Sequence, residues 1–381
     1  MKEYGRTTLE LMEISCNDLV LILKNAGNAC NIGCVYCAEA RKKSLNLSKL
    51  RKVTLEDVNK LIYLTRDVEN LTVLFHGGEP LLLGIDYYEK IITLWRTARK
   101  DVYFGFQTNG TLINSAWLDF FDRHRDVVGI SISLDGDPIA NSYRQNKDGS
   151  ESYPDVIKAL NLLKKNNLST GLISTLTQAS IGREQELFDI ITAFSNIRFV
   201  KLNPCFDLFK DSSVPRWAIL PENYSTFVLN FFDIMYREKY FSTLNVEPIL
   251  SIIKGLEGIE NSFCNYCNKK CTHFLSVYPN GKLIPCDNFD LTDGMYPDFR
   301  DEERIEDVLS NQPQPLCSEL DDLMLSCKGC LYNSICYGGC LAVRRRYKKY
   351  GRNNEYASYC KEMKRMIDYI RKKIESVRTG C

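Results

Sequence analysis

Six short apolar segments rich in β-branched residues alternate with helical segments from residue 19 to residue 203, and this alternation constrains the fold most. The apolar segments are Leu19–Lys24, Leu71–Phe75, Val102–Phe106, Gly129–Ser133, Ser169–Thr175 and Arg198–Leu202. Helical periodicity marks the stretches Leu55–Arg66, Tyr87–Arg99, Trp117–His124, Val156–Lys165 and Glu184–Phe194. A strand, a helix and a second strand form a right-handed βαβ unit with parallel strands. The sequence therefore predicts an α/β fold, a partial (β/α)6 TIM-like barrel.

Polar and glycine residues follow the carboxyl ends of the later predicted strands. These segments are His76-Gly77-Gly78-Glu79-Pro80, Gln107-Thr108-Asn109-Gly110, Ser133-Leu134-Asp135-Gly136, Ser174-Thr175 and Asn203. In parallel α/β folds the carboxyl ends of the strands and the loops after them form the active site. We therefore predict one polar rim that carries the chemistry.

The balance of charge gives no general affinity for polyanions. The chain has 49 basic and 48 acidic residues, so its formal net charge is +1, and no overall field attracts nucleic acid or an anionic membrane. The apolar stretch Leu19–Leu23 is too short to span a bilayer, and no signal-peptide cleavage site follows it. We expect a cytoplasmic protein whose partners include neither nucleic acid nor a membrane.

The chain has 16 cysteines, which gather in one N-terminal group and in a dense run from Cys264 to Cys360. A disulfide framework is typical of small secreted domains, and this chain is large and shows no export signal. With only three histidines, a zinc site would need almost entirely thiolate ligands. Iron–sulfur clusters use thiolates in similar close spacings. The spacing of the cysteines therefore decides between these alternatives.

The N-terminal group has three cysteines in the spacing C-x3-C-x2-C, directly after the first predicted strand. They are Cys30, Cys34 and Cys37. Three thiolates can hold three irons of a four-iron cluster and leave the fourth iron open to a small ligand. A structural zinc knuckle is the alternative, and it would need a fourth ligand, for which Glu39 and Cys16 are the nearest candidates.

This motif, with the aromatic Tyr36 just before the third cysteine, resembles the signature of the radical S-adenosylmethionine (SAM) superfamily. The resemblance implies a [4Fe-4S] cluster on these three cysteines, with SAM bound to the open iron. One electron from the reduced cluster then cleaves SAM and produces a 5′-deoxyadenosyl radical, so the cofactor carries the difficult step.

The same resemblance implies the residues that contact SAM. Gly77, Gly78 and Glu79 would meet its amino group, Tyr36 would lie at the edge of the cluster, and four further residues would face the ribose or the carboxylate. Those four are Asn109, Ser133, Asp135 and Arg144. Each is also a common turn or cap residue, and His76 can equally be a buried, hydrogen-bonded histidine.

Two further cysteine spacings occur near the C-terminus. Cys271 and Cys286 enclose Gly281 as C-x9-G-x4-C, and Pro279-Asn280-Gly281 predicts a hairpin turn between residues 274–278 and 282–284. Downstream, four cysteines follow the spacing C-x2-C-x5-C-x3-C before Cys360, and they are Cys327, Cys330, Cys336 and Cys340.

This combination resembles the SPASM domain of radical SAM enzymes, a small cysteine-rich domain with two auxiliary [4Fe-4S] clusters. The resemblance implies Cys271, Cys286, Cys340 and an upstream cysteine as one ligand set. Cys264 is the preferred upstream ligand and Cys267 the alternative. It implies as the second set Cys327, Cys330, Cys336 and Cys360. All-thiolate zinc sites remain the alternative for these cysteines.

Asp287 directly follows Cys286. In sulfatase-maturating relatives an aspartate at this place is the proposed base that takes a proton from the substrate, so the resemblance implies a catalytic role for Asp287. A solvent-facing aspartate in a turn is the alternative.

The composition divides the chain into four predicted parts. Residues 1–18 form an N-terminal segment, 19–223 the radical SAM core, 224–260 a helical bridging region and 261–381 the SPASM domain, which ends in a basic helix over residues 359–377.

We expect an oxidative reaction on a peptide or protein, because auxiliary clusters can accept an electron after hydrogen abstraction. The leading prediction is a maturase that crosslinks residues of a ribosomally synthesised precursor peptide. An anaerobic sulfatase-maturating enzyme, which oxidises Cys or Ser to formylglycine, is the alternative. Such relatives usually have an aromatic pair after the third cysteine, whereas Ala38-Glu39-Ala40 stands here.

A non-catalytic zinc module is a third possibility from a different class. In such a module the basic run Arg344–Lys349 would contact nucleic acid, although a run of this kind is more often a solvated helix face. In an enzyme the same run would dock a flavodoxin or ferredoxin that donates electrons.

Overall fold

The structure is a computed structural model that describes residues 19–41, 52–207, 213–268, 271, 273–279, 281–289, 296–310 and 314–379. Nine strands form one sheet within these residues. They are β1 (Leu19–Leu23), β2 (Leu71–Phe75), β3 (Val102–Thr108), β4 (Val128–Ser133), β5 (Thr170–Leu176), β6 (Ile197–Pro204), β7 (Asn245–Glu247), β8 (Phe274–Val277) and β9 (Leu283–Ile284). The sheet order is β7-β6-β5-β4-β3-β2-β1-β8-β9.

Helices connect and cover the strands. They are α1 (Ala38–Arg41), α2 (Leu55–Leu64), α3 (Ile85–Ala98), α4 (Ser115–Arg123), α5 (Tyr153–Lys165), α6 (Glu184–Ala193), α7 (Pro221–Arg237), α8 (Ile249–Leu256), α9 (Ile305–Ser310), α10 (Gln314–Leu325), α11 (Asn333–Cys336), α12 (Leu341–Lys349) and α13 (Asn353–Thr379). Strands β1 to β7 pair in parallel with their neighbours. The predicted α/β partial barrel is therefore confirmed, and all six predicted strands lie within two residues of their expected bounds.

Strand β7 lies in the segment for which the sequence predicted only helices. It has three residues, and Phe199, Val200 and Lys201 of β6 pair with it. A strand this short, with Asn and Glu at its ends, has too few residues to show an apolar or alternating pattern. Helices α7 and α8, on either side of it, agree with the expected helical character.

The predicted hairpin after residue 273 exists as β8 and β9, which pair in antiparallel fashion. The sequence did not predict where this hairpin lies relative to the barrel sheet. Val20 to Leu23 of β1 pair in parallel with β8, so the hairpin extends the barrel sheet at its β1 edge. The sheet thus runs across the predicted domain boundary near residue 261, and the two parts of the chain share one layer of backbone hydrogen bonds.

Aromatic side chains fill the core beneath the first half of the barrel. The ring centroid of Phe106 lies 4.7 Å from that of Phe75 and 4.8 Å from that of Tyr88, and Trp117 and Phe121 pack on its other side. All five side chains are buried. Edge-to-face contacts of this kind fix the positions of β2, β3, α3 and α4 relative to one another.

Helix α2 begins with a capping box. The Thr54 hydroxyl accepts a hydrogen bond from the Asp57 backbone N–H, and the Asp57 carboxylate accepts one from the Thr54 backbone N–H, both at 3.0 Å. We expect Thr54→Ala to lower the free energy of unfolding by about 1 kcal/mol. Urea denaturation measures this change. Thr97→Ala is the control, because Thr97 lies within α3 and caps nothing, and an equal loss there would contradict the prediction.

Candidate active site

The loop after β1 carries the three N-terminal cysteines, which are partly accessible and free of disulfides. Backbone hydrogen bonds hold this loop: Gly33 N–H donates to the Gln145 carbonyl and Val35 N–H to the Tyr143 carbonyl. Burial raises the pKa of the Cys34 thiol to about 11, and the neighbouring Cys37 and Cys30 sulfurs contribute to the rise. Three sulfurs gathered on one loop in this way are suited to ligate an iron–sulfur cluster.

Gly77 and Gly78 lie at the carboxyl end of β2 with positive φ angles of 101° and 55°. A Cβ atom on Gly78 would overlap the carbonyl oxygen of Ala29, the residue before Cys30. The Glu79 N–H donates to that same oxygen at 2.7 Å. Only glycine therefore permits this close approach between the cysteine loop and the end of β2.

Glu79 is fully buried and its carboxylate is satisfied by the protein. It accepts hydrogen bonds from the Leu81 N–H at 3.0 Å, the Thr108 hydroxyl at 2.7 Å and the Asn109 N–H at 2.8 Å. Burial raises its pKa, and these donors lower it. Glu79, which the sequence predicted to contact SAM, thus joins the ends of β2 and β3.

Asn109 also contacts the cysteine loop. Its amide group donates to Asn31 Oδ1 at 2.9 Å and lies 3.7 Å from the sulfur of Cys30. Ser133, the last residue of β4, ends its strand at the same rim and is partly accessible.

A buried cluster formed by Tyr36, Asp135 and Arg144 lies beside Cys34. The Tyr36 hydroxyl donates to Asp135 Oδ2 at 2.5 Å, and Arg144 Nη1 donates to the Tyr36 oxygen at 2.9 Å. Arg144 also lies 3.9 Å from Asp135. Among the described residues Arg144 Nε has no hydrogen-bond partner although it is buried. An unsatisfied buried guanidinium nitrogen next to the cysteine loop is suited to a carboxylate ligand.

Asp287 lies in a second polar cluster at the ends of β1, β2 and β8. It forms an ion pair with Lys24 at 2.7 Å and contacts His76 Nδ1 at 2.7 Å, and Ser276 donates to it at 2.7 Å. Its side chain is 24% exposed. Asp287 thus lies in a turn, but its carboxylate contacts these side chains.

Lys24 is the residue of this cluster that the sequence reasoning missed. Its side chain is fully buried and also pairs with Glu39 at 3.2 Å, so Glu39 belongs to this cluster. Burial opposes the charge on Lys24, but Asp287 and Glu39 together raise its pKa above the ordinary value. A lysine at the carboxyl end of an otherwise apolar strand was the available signal, and it follows the same rim rule as the later strands.

The first set of C-terminal cysteines is brought together. Burial raises the pKa of Cys286 above its ordinary value, with further increases from the neighbouring Cys340 and Cys264. Cys271 packs with Cys286 and Cys340 against a small core cluster that includes Phe289 and Leu341. Cys264 lies near enough to Cys286 to contribute to this rise, and Cys267 is 1% exposed; the choice between them as the upstream ligand stays a prediction.

The second set lines one cavity of about 380 Å³, and its four cysteines are Cys327, Cys330, Cys336 and Cys360. Thiolates of a four-iron cluster bind separate irons and stand farther apart than the ligands of one ion. Across the described ranges, no three His, Cys, Asp or Glu side chains are arranged to hold a single metal ion.

Arg344 belongs to this cavity and is not a surface residue. It is 4% exposed, lies 3.4 Å from the Cys327 sulfur and donates to the Leu323 carbonyl at 2.8 Å and the Tyr356 hydroxyl at 2.7 Å. The run Arg344–Lys349 is a solvated helix face only in part, because Arg344 and Tyr347 are buried against the protein whereas Lys348 and Lys349 are exposed.

Comparison with known proteins agrees with this geometry. The model of the radical SAM superfamily matches residues 25–182, which include the cysteine loop, the Gly77-Gly78 turn and Arg144. These residues belong to a domain of the radical SAM superfamily. Its members use SAM and an iron–sulfur cluster, so the prediction of a radical SAM enzyme with these cofactors is confirmed.

Relatives that match most of the chain include anaerobic sulfatase-maturating enzymes of the cysteine type and of the serine type. A cysteine-type anaerobic sulfatase-maturating enzyme of Clostridium perfringens (strain 13 / Type A) is 26% identical over 369 residues, which cover 92% of this chain and 96% of that protein. Native anSMEcpe with bound AdoMet and Cp18Cys peptide superposes with a TM-score of 0.79 at 22% identity, covering 96% and 100% of the two chains. Streptococcus suis SuiB bound to the precursor peptide SuiA has a TM-score of 0.61 at 16% identity, with coverage of 89% and 75%.

Because both structures are below 25% identical to this chain, their similarity shows the fold alone.

None of the helices in the described part of the chain combines the length and hydropathy that crossing a bilayer requires.

Proposed function

We propose that this radical SAM enzyme is an anaerobic sulfatase-maturating type of maturase, which oxidises a cysteine or serine of a peptide or protein substrate to formylglycine. The observation that carries this proposal is the similarity to the cysteine-type enzyme over 92% of the chain. The similarity favours this reaction over the crosslinking of a precursor peptide, which was the leading expectation from the sequence.

The proposed cofactor sites follow from the side chains already described. Cys30, Cys34 and Cys37 would hold the cluster that supplies the electron for SAM cleavage, and the buried Arg144 would bind the SAM carboxylate through its unsatisfied Nε. Gly77, Gly78 and Asn109 would face the remainder of SAM. Glu79 would position Asn109, and Tyr36 and Asp135 would position Arg144. Ser133 would complete the contacts at the end of β4.

Residues 261–381 form the proposed SPASM domain with two auxiliary clusters. The first cluster would be held by Cys264, Cys271, Cys286 and Cys340. The second would be held by Cys327, Cys330, Cys336 and Cys360, whose sulfurs line the cavity of about 380 Å³. A flavodoxin- or ferredoxin-type protein is the proposed electron donor.

Asp287 and its neighbours are the proposed acid–base machinery. Asp287 follows Cys286 directly, so the same loop would carry an auxiliary-cluster ligand and a residue that handles the substrate proton. Oxidation of the substrate removes a hydrogen atom from its Cβ and then one proton and one electron. The proton needs an acceptor at this site, and the electron has an auxiliary cluster as its acceptor.

The test uses anaerobically reconstituted enzyme with SAM, dithionite and two synthetic peptides that carry a sulfatase motif with either Cys or Ser. We expect an aldehyde that reacts with a hydrazine reagent, and we expect the Cys peptide to react faster because the full-length relative is of the cysteine type. Mass spectrometry of the products is the measurement. Formation of 5′-deoxyadenosine without aldehyde on either peptide would contradict the proposal, and loss of two hydrogens without aldehyde would indicate a crosslink.

A further inference from the structure

The carboxylate of Asp287 is already occupied by donors. Its Oδ2 atom forms an ion pair with Lys24 Nζ at 2.7 Å and lies 2.7 Å from His76 Nδ1. Its Oδ1 atom accepts a hydrogen bond from the Ser276 hydroxyl at 2.7 Å. An opposite charge and hydrogen bonds to the charged form both stabilise a carboxylate against protonation. Both carboxylate oxygens of Asp287 thus already contact neighbouring side chains, which favours a different group as the acceptor of the substrate proton.

His76 has one ring nitrogen that is held and one that is not. Nδ1 lies 2.7 Å from the Asp287 carboxylate, which can only accept, and 3.1 Å from the Lys24 ammonium, which can only donate; the shorter contact favours a neutral imidazole with its proton on Nδ1 and a lone pair on Nε2. Within the described ranges no hydrogen-bond partner contacts Nε2, and the side chain remains 34% exposed. A histidine oriented by a carboxylate through Nδ1, with its Nε2 accessible, has the arrangement of a general base.

The groups around His76 favour the neutral ring. Burial and the Lys24 ammonium, 3.1 Å from Nδ1, lower the pKa of His76, while Asp287 and Glu39 raise it, and the net shift is to below its ordinary value of 6.5. At neutral pH the ring is therefore uncharged, and its lone pair is available to accept a proton.

The position of His76 suits this role. It directly precedes Gly77 and Gly78 at the carboxyl end of β2, so it lies on the rim between the proposed SAM site and Asp287. The imidazole therefore lies at the same rim as the proposed SAM site.

We propose that His76 Nε2 accepts the proton that the substrate loses, and that Asp287 is a positioning residue that fixes the tautomer and orientation of His76. The inference rests on the function proposed above. Once the Cβ hydrogen atom has moved to the 5′-deoxyadenosyl radical, the substrate radical C•H–XH, where X is S or O, would become HC=X. For X = O this product is the aldehyde; for X = S, water would replace the sulfur, which leaves as hydrogen sulfide. The X–H proton goes to His76, and one electron goes to an auxiliary iron–sulfur cluster.

The test compares His76→Gln with wild type on a Cβ-deuterated Cys peptide. Glutamine can still donate to Asp287 but cannot accept a proton, so aldehyde formation should fall by roughly 100-fold. Transfer of deuterium into 5′-deoxyadenosine should continue, because it precedes the proton step. His124→Gln is the matched control, since His124 contacts Glu89 at 2.8 Å on the outer helices, and it should behave as wild type.

A pH profile provides a readout that a purely structural role would not change. In wild type, single-turnover aldehyde formation should decline as the pH falls through the lowered pKa of His76, which lies below the ordinary 6.5, because protonated His76 cannot accept. The residual rate of His76→Gln should lack this acid limb. Aldehyde formation at the wild-type rate in His76→Gln, or loss of deuterium transfer together with aldehyde, would overturn the inference. Absence of aldehyde in wild type itself would refute the proposed function and with it this role.

Discussion

Gly78→Ala should lose SAM cleavage by roughly 100-fold or more, because a displacement of about 1 Å at a reacting centre costs that much. The added Cβ would overlap the carbonyl oxygen of Ala29, next to Cys30, and the φ of 55° is unfavourable for alanine. Either the end of β2 or the cysteine loop must therefore move. The measurement is 5′-deoxyadenosine formed with dithionite, together with the iron content of the protein.

Gly84→Ala is the matched control for this substitution. Gly84 also has a positive φ, 77°, but no atom lies within 4 Å of the position that a Cβ would take. The control variant therefore carries the backbone strain alone, about 1–2 kcal/mol, and should cleave SAM at a rate close to wild type. Equal SAM cleavage by the two variants would show that the contact with Ala29 does not set the cluster geometry.

Lys24→Met should destabilise the protein by about 3–5 kcal/mol, the usual effect of removing one partner from a buried ion pair. The side chain is fully buried and its ammonium faces both Glu39 and Asp287, at 3.2 Å and 2.7 Å. Methionine has a similar length, so the change removes the charge and leaves little empty space. The measurement is the free energy of unfolding in urea at neutral pH.

The sign of the pH effect follows from the raised pKa of Lys24. The folded-state pKa lies above 10.5, so the stabilisation is present in full below that value and is lost as the pH rises through the raised pKa. The control is Lys158→Met on the exposed face of α5, which should change the free energy of unfolding by less than about 0.5 kcal/mol. A change of similar size in both variants would mean that the buried ion pairs contribute nothing specific.

The parts of the fold that repeat locally were predictable. Each strand from β1 to β6 is an apolar run that is followed by a segment of helical periodicity. The local sequence pattern therefore predicts that the strand exists and roughly where it ends. The pairing of β1 with β8 has no such local signal. It joins Val20 to Phe274, and only tertiary packing determines which edge of the sheet the hairpin covers.

The candidate site likewise has residues that the local sequence indicates and contacts that it does not indicate. Cys30, Cys34 and Cys37 stand within one loop, and their spacing alone suggested a cluster. The contact between His76 and Asp287 joins positions 211 residues apart, and neither residue type indicates the other. For Arg344 the local sequence was misleading. It stands in a run of basic residues, which is typical of an exposed helix face, but carbonyl and hydroxyl oxygens enclose its guanidinium group.

The shared sheet also has a consequence for biosynthesis. Strand β1 leaves the ribosome first, but β8, its neighbour on one side, is translated only after the rest of the barrel. During that interval the nascent chain carries an apolar strand with one row of unpaired N–H and C=O groups, which other chains can pair with. Translation of the hairpin, late in the chain, closes this edge.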